Sequence, residues 1–159
     1  MTQRIGTAAV LALVGILVMA CSSSVIDSLL PVPAGPLVKV TTRGGECVNG
    51  PCGSIIEIGR DGIVTELLPG SKDLGIVPAE VLAALDGAIM AADFDAIRAH
   101  RFTGDCPTAF DGQEVIYEFA APGGVERIAS CETEIDPDHP LFLAVDAALQ
   151  AVDVIPAGG

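Results

Sequence analysis

Tryptophan is absent from this chain, and tyrosine occurs once beside five phenylalanines. Aromatic platforms on which bases or sugar rings stack are therefore scarce, and an aliphatic core is expected. Positive charge is equally short: 8 Lys and Arg stand against 21 Asp and Glu, a formal net charge of −13. A surface of that sign repels phosphate backbones, which argues against nucleic acid as a partner. The common hydrolase signatures are missing too. The chain has no Gly-x-Ser-x-Gly, no His-Glu-x-x-His and no glycine-rich loop leading from a strand into a helix. Its two histidines are His100 and His139. His100 lies beside Arg101 at an expected helix end, where a cation offsets the helix dipole. His139 precedes an expected helix start and reads as a cap. No catalytic set and no cofactor are expected from these residues.

What the chain does have begins with its first twenty residues, which carry the three parts of an export signal. Arg4 supplies the positive charge, Ile5 to Met19 is an uncharged apolar run, and Ala20 is the small residue before Cys21. Only 16 residues separate Arg4 from Cys21, and serines follow at once. A spanning helix needs roughly 20 apolar residues, so an export signal is the better reading.

The junction Val18-Met19-Ala20-Cys21 resembles a lipobox, the processing site of bacterial lipoproteins. Val18 takes the branched apolar position and Ala20 the small one, while Met19 departs from the usual smaller residue. The resemblance implies cleavage before Cys21 and a diacylglyceryl thioether on its sulfur. Each buried methylene contributes about 0.8 kcal/mol, and more than one acyl chain makes the attachment effectively permanent. The membrane is then a partner through Cys21. The absence of Asp at Ser22 is compatible with onward export. The expected organisation is a signal peptide over 1–20, a lipidated tether over 21–36 rich in Ser and Pro, and one domain over 37–155.

Four further cysteines, Cys47, Cys52, Cys106 and Cys131, read as two disulfides in an exported chain. Of the three pairings, Cys47 with Cys52 and Cys106 with Cys131 is favoured. The first closes a turn-rich loop around Asn49-Gly50-Pro51, and the second spans an expected hairpin. Loop-closure entropy gives about 2 kcal/mol for the shorter loop and about 3.5 kcal/mol for the longer. A zinc site or a redox pair is the competing reading, although Cys-x4-Cys is wider than the thioredoxin-like spacing.

Leu37 to Thr42, Ser54 to Gly59 and Ile63 to Leu68 read as strands, the last two joined by an Asp61-Gly62 hairpin turn. Pro78 opens a helix in its first turn, with Val81, Leu82, Leu85, Ile89 and Met90 as its apolar stripe. Asp93 to Arg98 continues as a second short helical piece. Glu114 to Ala120 alternates, Pro122-Gly123-Gly124 turns the chain, and Val125 to Cys131 returns. A helix from Pro140 follows, with the stripe Leu141, Phe142, Val145, Leu149 and Val152. This order, β-β-β-α-β-β-α, predicts an α+β fold: an antiparallel sheet of about five strands with two helices packed on one face.

The pattern Arg43-Gly44-Gly45-Glu46-Cys47, Gly50-Pro51-Cys52, Asp61-Gly62 and Phe102 to Glu114 resembles small bacterial lipoproteins to which no activity is attached. It implies nothing catalytic. Two acidic clusters remain: Asp105, Asp111 and Glu114 flank Cys106, and Glu132, Glu134, Asp136 and Asp138 follow Cys131. A Cys106–Cys131 bond would draw them together. Calcium takes about six to eight oxygens from such loops, so Asp105, Asp111, Glu114 and Asp136 are candidate ligands. Plain turn chemistry and a solvated loop explain the same residues, and otherwise no metal is expected. The functional expectation is a membrane-anchored envelope lipoprotein, a non-enzymatic domain for an unidentified protein or small-molecule partner. The alternatives are an envelope enzyme, either thiol-disulfide or acidic-loop hydrolase, and a purely structural envelope component.

Overall fold

The computed structural model describes residues 34–45 and 52–154. The leader, Cys21 and Cys47 lie outside the described residues. Six strands run β1 (Val38–Gly44), β2 (Gly53–Ile58), β3 (Ile63–Leu68), β4 (Lys72–Ile76), β5 (Gln113–Ala121) and β6 (Gly124–Ala129). Between β4 and β5 lie α1 (Ala79–Ala91), α2 (Phe94–Ala99) and a 3-10 turn (Pro107–Phe110); α3 (Pro140–Gln150) follows β6.

The strands form one open sheet in the order β4-β3-β2-β1-β5-β6, every pairing antiparallel. The α+β class and the helix-covered antiparallel sheet agree with expectation, and the strand count exceeds it by β4. That strand is illegible in the sequence because Lys72, Asp73 and Gly75 lower strand propensity and follow a Pro69-Gly70 break. Its charges suit an edge, where they discourage pairing with another chain. Gly75 is needed there: a side chain at its φ of +147° would press on Val152.

The period-2 alternation decides which face is covered. Val38 and Val40 of β1 stand opposite Ile58 and Ile56 on one side and Phe119 and Tyr117 on the other. These side chains meet Leu85 and Ile89 of α1, Phe94 and Ile97 of α2, and Leu141, Phe142, Val145 and Leu149 of α3 in one core. Four of the six aromatic rings cluster within it. Tyr117 lies 5.1 Å from Phe142 and 5.9 Å from Phe119, and Phe94 lies 5.7 Å from Phe119, ring centre to ring centre.

The opposite face is charged. Glu57, Lys39, Glu118 and Arg127 stand side by side across β2, β1, β5 and β6. Sign alternates along that row, so each cross-strand neighbour is an opposite charge. Lys39 is ion-paired with Glu118, and Arg127 reaches Glu132 at 3.0 Å.

Helix α1 shows two departures from expectation. Pro78 is the residue before α1, at φ −55° and ψ 143°, so the helix begins at Ala79. Met90 leaves the stripe with 46 % of its surface exposed, because it sits about 100° around the helix from buried Ile89. Pro140 does occupy the first turn of α3. Asp93 caps α2 through a 2.9 Å hydrogen bond from the Ala96 N–H. Arg98 then fastens α2 to the sheet, donating to Glu126 of β6 at 2.5 Å and to Asp95 at 2.6 Å. These two carboxylates raise the Arg98 pKa further.

Candidate functional site

Cys106 and Cys131 are bonded, with Cα atoms 5.1 Å apart. The bond brackets β5 and β6 as expected. Cys52 is also disulfide-bonded. The Cys106–Cys131 bond joins the ends of two segments that run together. The Phe102 N–H donates to the Glu132 carbonyl at 3.2 Å, and the Glu134 N–H donates to the His100 carbonyl at 2.7 Å. Arg101 and Thr133 form a β-bridge between them, and Thr133 is buried. The stretch leaving α2 is thereby laced to the stretch leaving β6, which fixes the position of each relative to the other.

Between α2, the 134–137 loop and the start of α3 this lacing leaves a cleft of about 490 Å3. Ala96, Ile97, Ile135 and Phe142 give it an apolar floor, and Asp93, Glu134, Asp136, His100 and His139 supply the polar groups. The volume falls in the range of small-molecule sites, which combine an apolar lining with a few polar groups. Each local element follows from its sequence. Asp136 accepts from the Asp138 N–H at 3.0 Å, an Asx turn that reverses the chain ahead of α3. His139 then sits at φ −66° and ψ 133°, the extended conformation that a following proline favours. Its Nδ1 accepts from the Leu141 N–H at 3.2 Å, satisfying one of the open donors of the helix start. That geometry places the ring proton of a neutral imidazole on Nε2. His139 also packs its ring 5.8 Å from Phe142.

The capping role expected for His139 is present, and His100 follows the last residue of α2 as expected. Their convergence on one cleft is not expected from the sequence. The two lie 39 positions apart in the chain, and the pairing of 100–102 with 132–134, together with the shared core of α2 and α3, brings them together. The disulfide pairing is the one sequence signal that points there.

The candidate calcium ligands do not gather. Among the described residues no group of three or more His, Cys, Asp or Glu side chains is arranged to hold a metal ion. Glu114 is buried at 2 % exposure and accepts from Arg43 Nε at 2.5 Å, a bond that ties β5 to β1 near one end of that strand pair. Asp111 closes the 3-10 turn in the left-handed conformation at φ +61°. Asp105 is exposed, and Asp136 lines the cleft. The second acidic cluster divides as well: Glu132 pairs with Arg127, whereas Glu134 and Asp136 face the cleft.

Two further groups are electrostatically strained. Burial, and then the Asp146 carboxylate, push the Tyr117 phenol up to about 12. Burial raises the Asp146 pKa in turn. No described helix is long and apolar enough to cross a membrane. Comparison with protein-family models, with curated proteins and with solved structures returned no match to this chain.

Proposed function

We propose that this chain is a membrane-anchored envelope lipoprotein whose folded domain is a non-enzymatic binding module, with the α2–α3 cleft as its site. The anchor rests on the lipobox-like Val18 to Cys21 at the end of an uncharged apolar run. The observation that supports binding is the cleft itself. Side chains from three separate segments converge on an apolar floor, and the wall is braced by a disulfide and paired backbone. A braced cleft loses less conformational freedom when a ligand arrives, which favours recognition. Among the described residues no Ser, Thr or Cys lines it.

The anchor is tested by expressing the wild-type chain and Cys21→Ser in a bacterial host fed an alkyne-bearing fatty acid. Wild type should carry the label and sediment with membranes. The variant should lose the label, and equal labelling of both would reject the anchor. A catalytic reading draws on the same cleft, since two imidazoles and three carboxylates are groups that acid–base chemistry uses. It requires His100→Ala to abolish a turnover that wild type displays.

A further inference from the structure

The charges around the cleft share one sign. Asp93, Glu134 and Asp136 bring three carboxylates to it, and among the described residues no Lys or Arg lines it. None of the three is ion-paired among the described residues. Elsewhere four basic side chains pair with other carboxylates: Lys39 with Glu118, Arg43 with Glu114, Arg98 with Asp95 and Glu126, and Arg127 with Glu132. Asp93 and Asp136 each use one oxygen on a backbone N–H. Such a bond fixes the carboxylate's position without neutralising it. The cleft therefore presents three carboxylates, two of them held by backbone N–H groups, beside an apolar lining of Ala96, Ile97, Ile135 and Phe142.

We propose that the cleft recognises an organic cation, a primary ammonium carried on a compact apolar body. This rests on the binding-module reading and specifies its ligand class. The apolar part lies on the floor and loses its contact with water. The ammonium donates to the carboxylates, and such charge-assisted bonds are about twice as strong as neutral ones. An anion of the same shape meets three like charges and is repelled. The same ammonium chemistry is available on a free amine or on a lysine side chain of a partner chain. Cleft volume favours the free amine, because about 490 Å3 is enough to enclose one small molecule.

The test uses the whole chain in uncharged detergent, with residue-resolved NMR titration by three probes of one shape. These are phenethylamine, 2-phenylethanol and 3-phenylpropionate. Phenethylamine should shift the amides of Ile97, His100, Ile135 and Phe142 saturably. It should bind about fivefold or more tightly than the alcohol, with the propionate weakest, and added salt should narrow the gap. Asp93→Asn, Glu134→Gln and Asp136→Asn remove charge while keeping oxygens that serve the caps. Combined, they should bring amine and alcohol to within about twofold of each other. Nα-acetyl-lysine amide, titrated beside them, assigns the source: tighter binding than phenethylamine points to a partner's side chain, weaker binding to a free amine. Equal or tighter binding of the alcohol or the propionate overturns the cation assignment and leaves the binding module standing. Amine shifts that avoid the cleft, or that survive the triple variant unchanged, overturn the proposal. Loss of label from Cys21 bears on the anchor alone, so the two readings fail separately.

Discussion

Tyr117 offers an unusually clean test of the packing, because it is the only tyrosine in a chain without tryptophan. Its ring is held among Phe119 and Phe142, and burial together with the Asp146 carboxylate moves its ionisation from 10.0 to about 12. The perturbation is alkali. Below pH 10 the phenol is neutral in both folded and unfolded chains, and its burial carries no titration penalty. Between pH 10 and 12 the unfolded chain releases the proton while the folded chain retains it, so stability falls as pH rises. A displacement of that size corresponds to about 2.7 kcal/mol, fully lost only above the folded value. That is a sizeable part of the roughly 5–15 kcal/mol of a typical domain. The assay is tyrosinate absorbance at about 295 nm after a rapid jump in pH, with helical circular dichroism followed in parallel. Folded protein should develop the band near pH 12, or earlier only in step with loss of helix. A folded protein whose tyrosine titrates at its ordinary value would refute the placement of Tyr117 in the core.

Other perturbations follow from the same contacts. Asp146→Asn should stabilise the domain at neutral pH: burial raises the native carboxyl pKa, so the wild-type chain loses stability as pH rises through that range and the amide does not. Urea denaturation of the two chains at neutral pH checks it. The same variant should bring the Tyr117 titration partway back toward its ordinary value, with burial accounting for the remainder. Cys106→Ser with Cys131→Ser should lower stability in urea by about 3.5 kcal/mol, and should broaden the His100 and Glu134 amide signals as the braced wall loosens. Arg43→Ala strands the Glu114 carboxylate in the sheet. Because Arg43 is itself 61 % exposed, water offsets part of the loss, and urea denaturation should register about 1–2 kcal/mol.

Much of the architecture is legible from local chemistry. Asp61-Gly62 marks its hairpin, with Gly62 at φ +83°. The alternation of Val115, Tyr117 and Phe119 identifies the covered face of β5, and Leu141, Phe142, Val145 and Leu149 identify that of α3. Strand β4 escapes because it is held by its neighbour β3 and by Val152 rather than by its own propensity. The cleft escapes for a related reason. His100 and His139 each read from sequence as terminal to a helix, and both are, but elements 39 positions apart meet only through tertiary pairing. The acidic clusters mislead in the opposite direction. Asp105, Asp111 and Glu114 are close in sequence, yet Glu114 points to Arg43 inside the sheet and not toward a shared ion.

Modification of Cys21 is what the anchored reading depends on, and intact-mass measurement of the protein extracted from membranes of its native host tests it. The expected mass lacks Met1 to Ala20, carries acyl groups on Cys21 and is four hydrogens lighter than the reduced chain. A mass that retains the first twenty residues, or an unmodified Cys21 at the start of the processed chain, would contradict it.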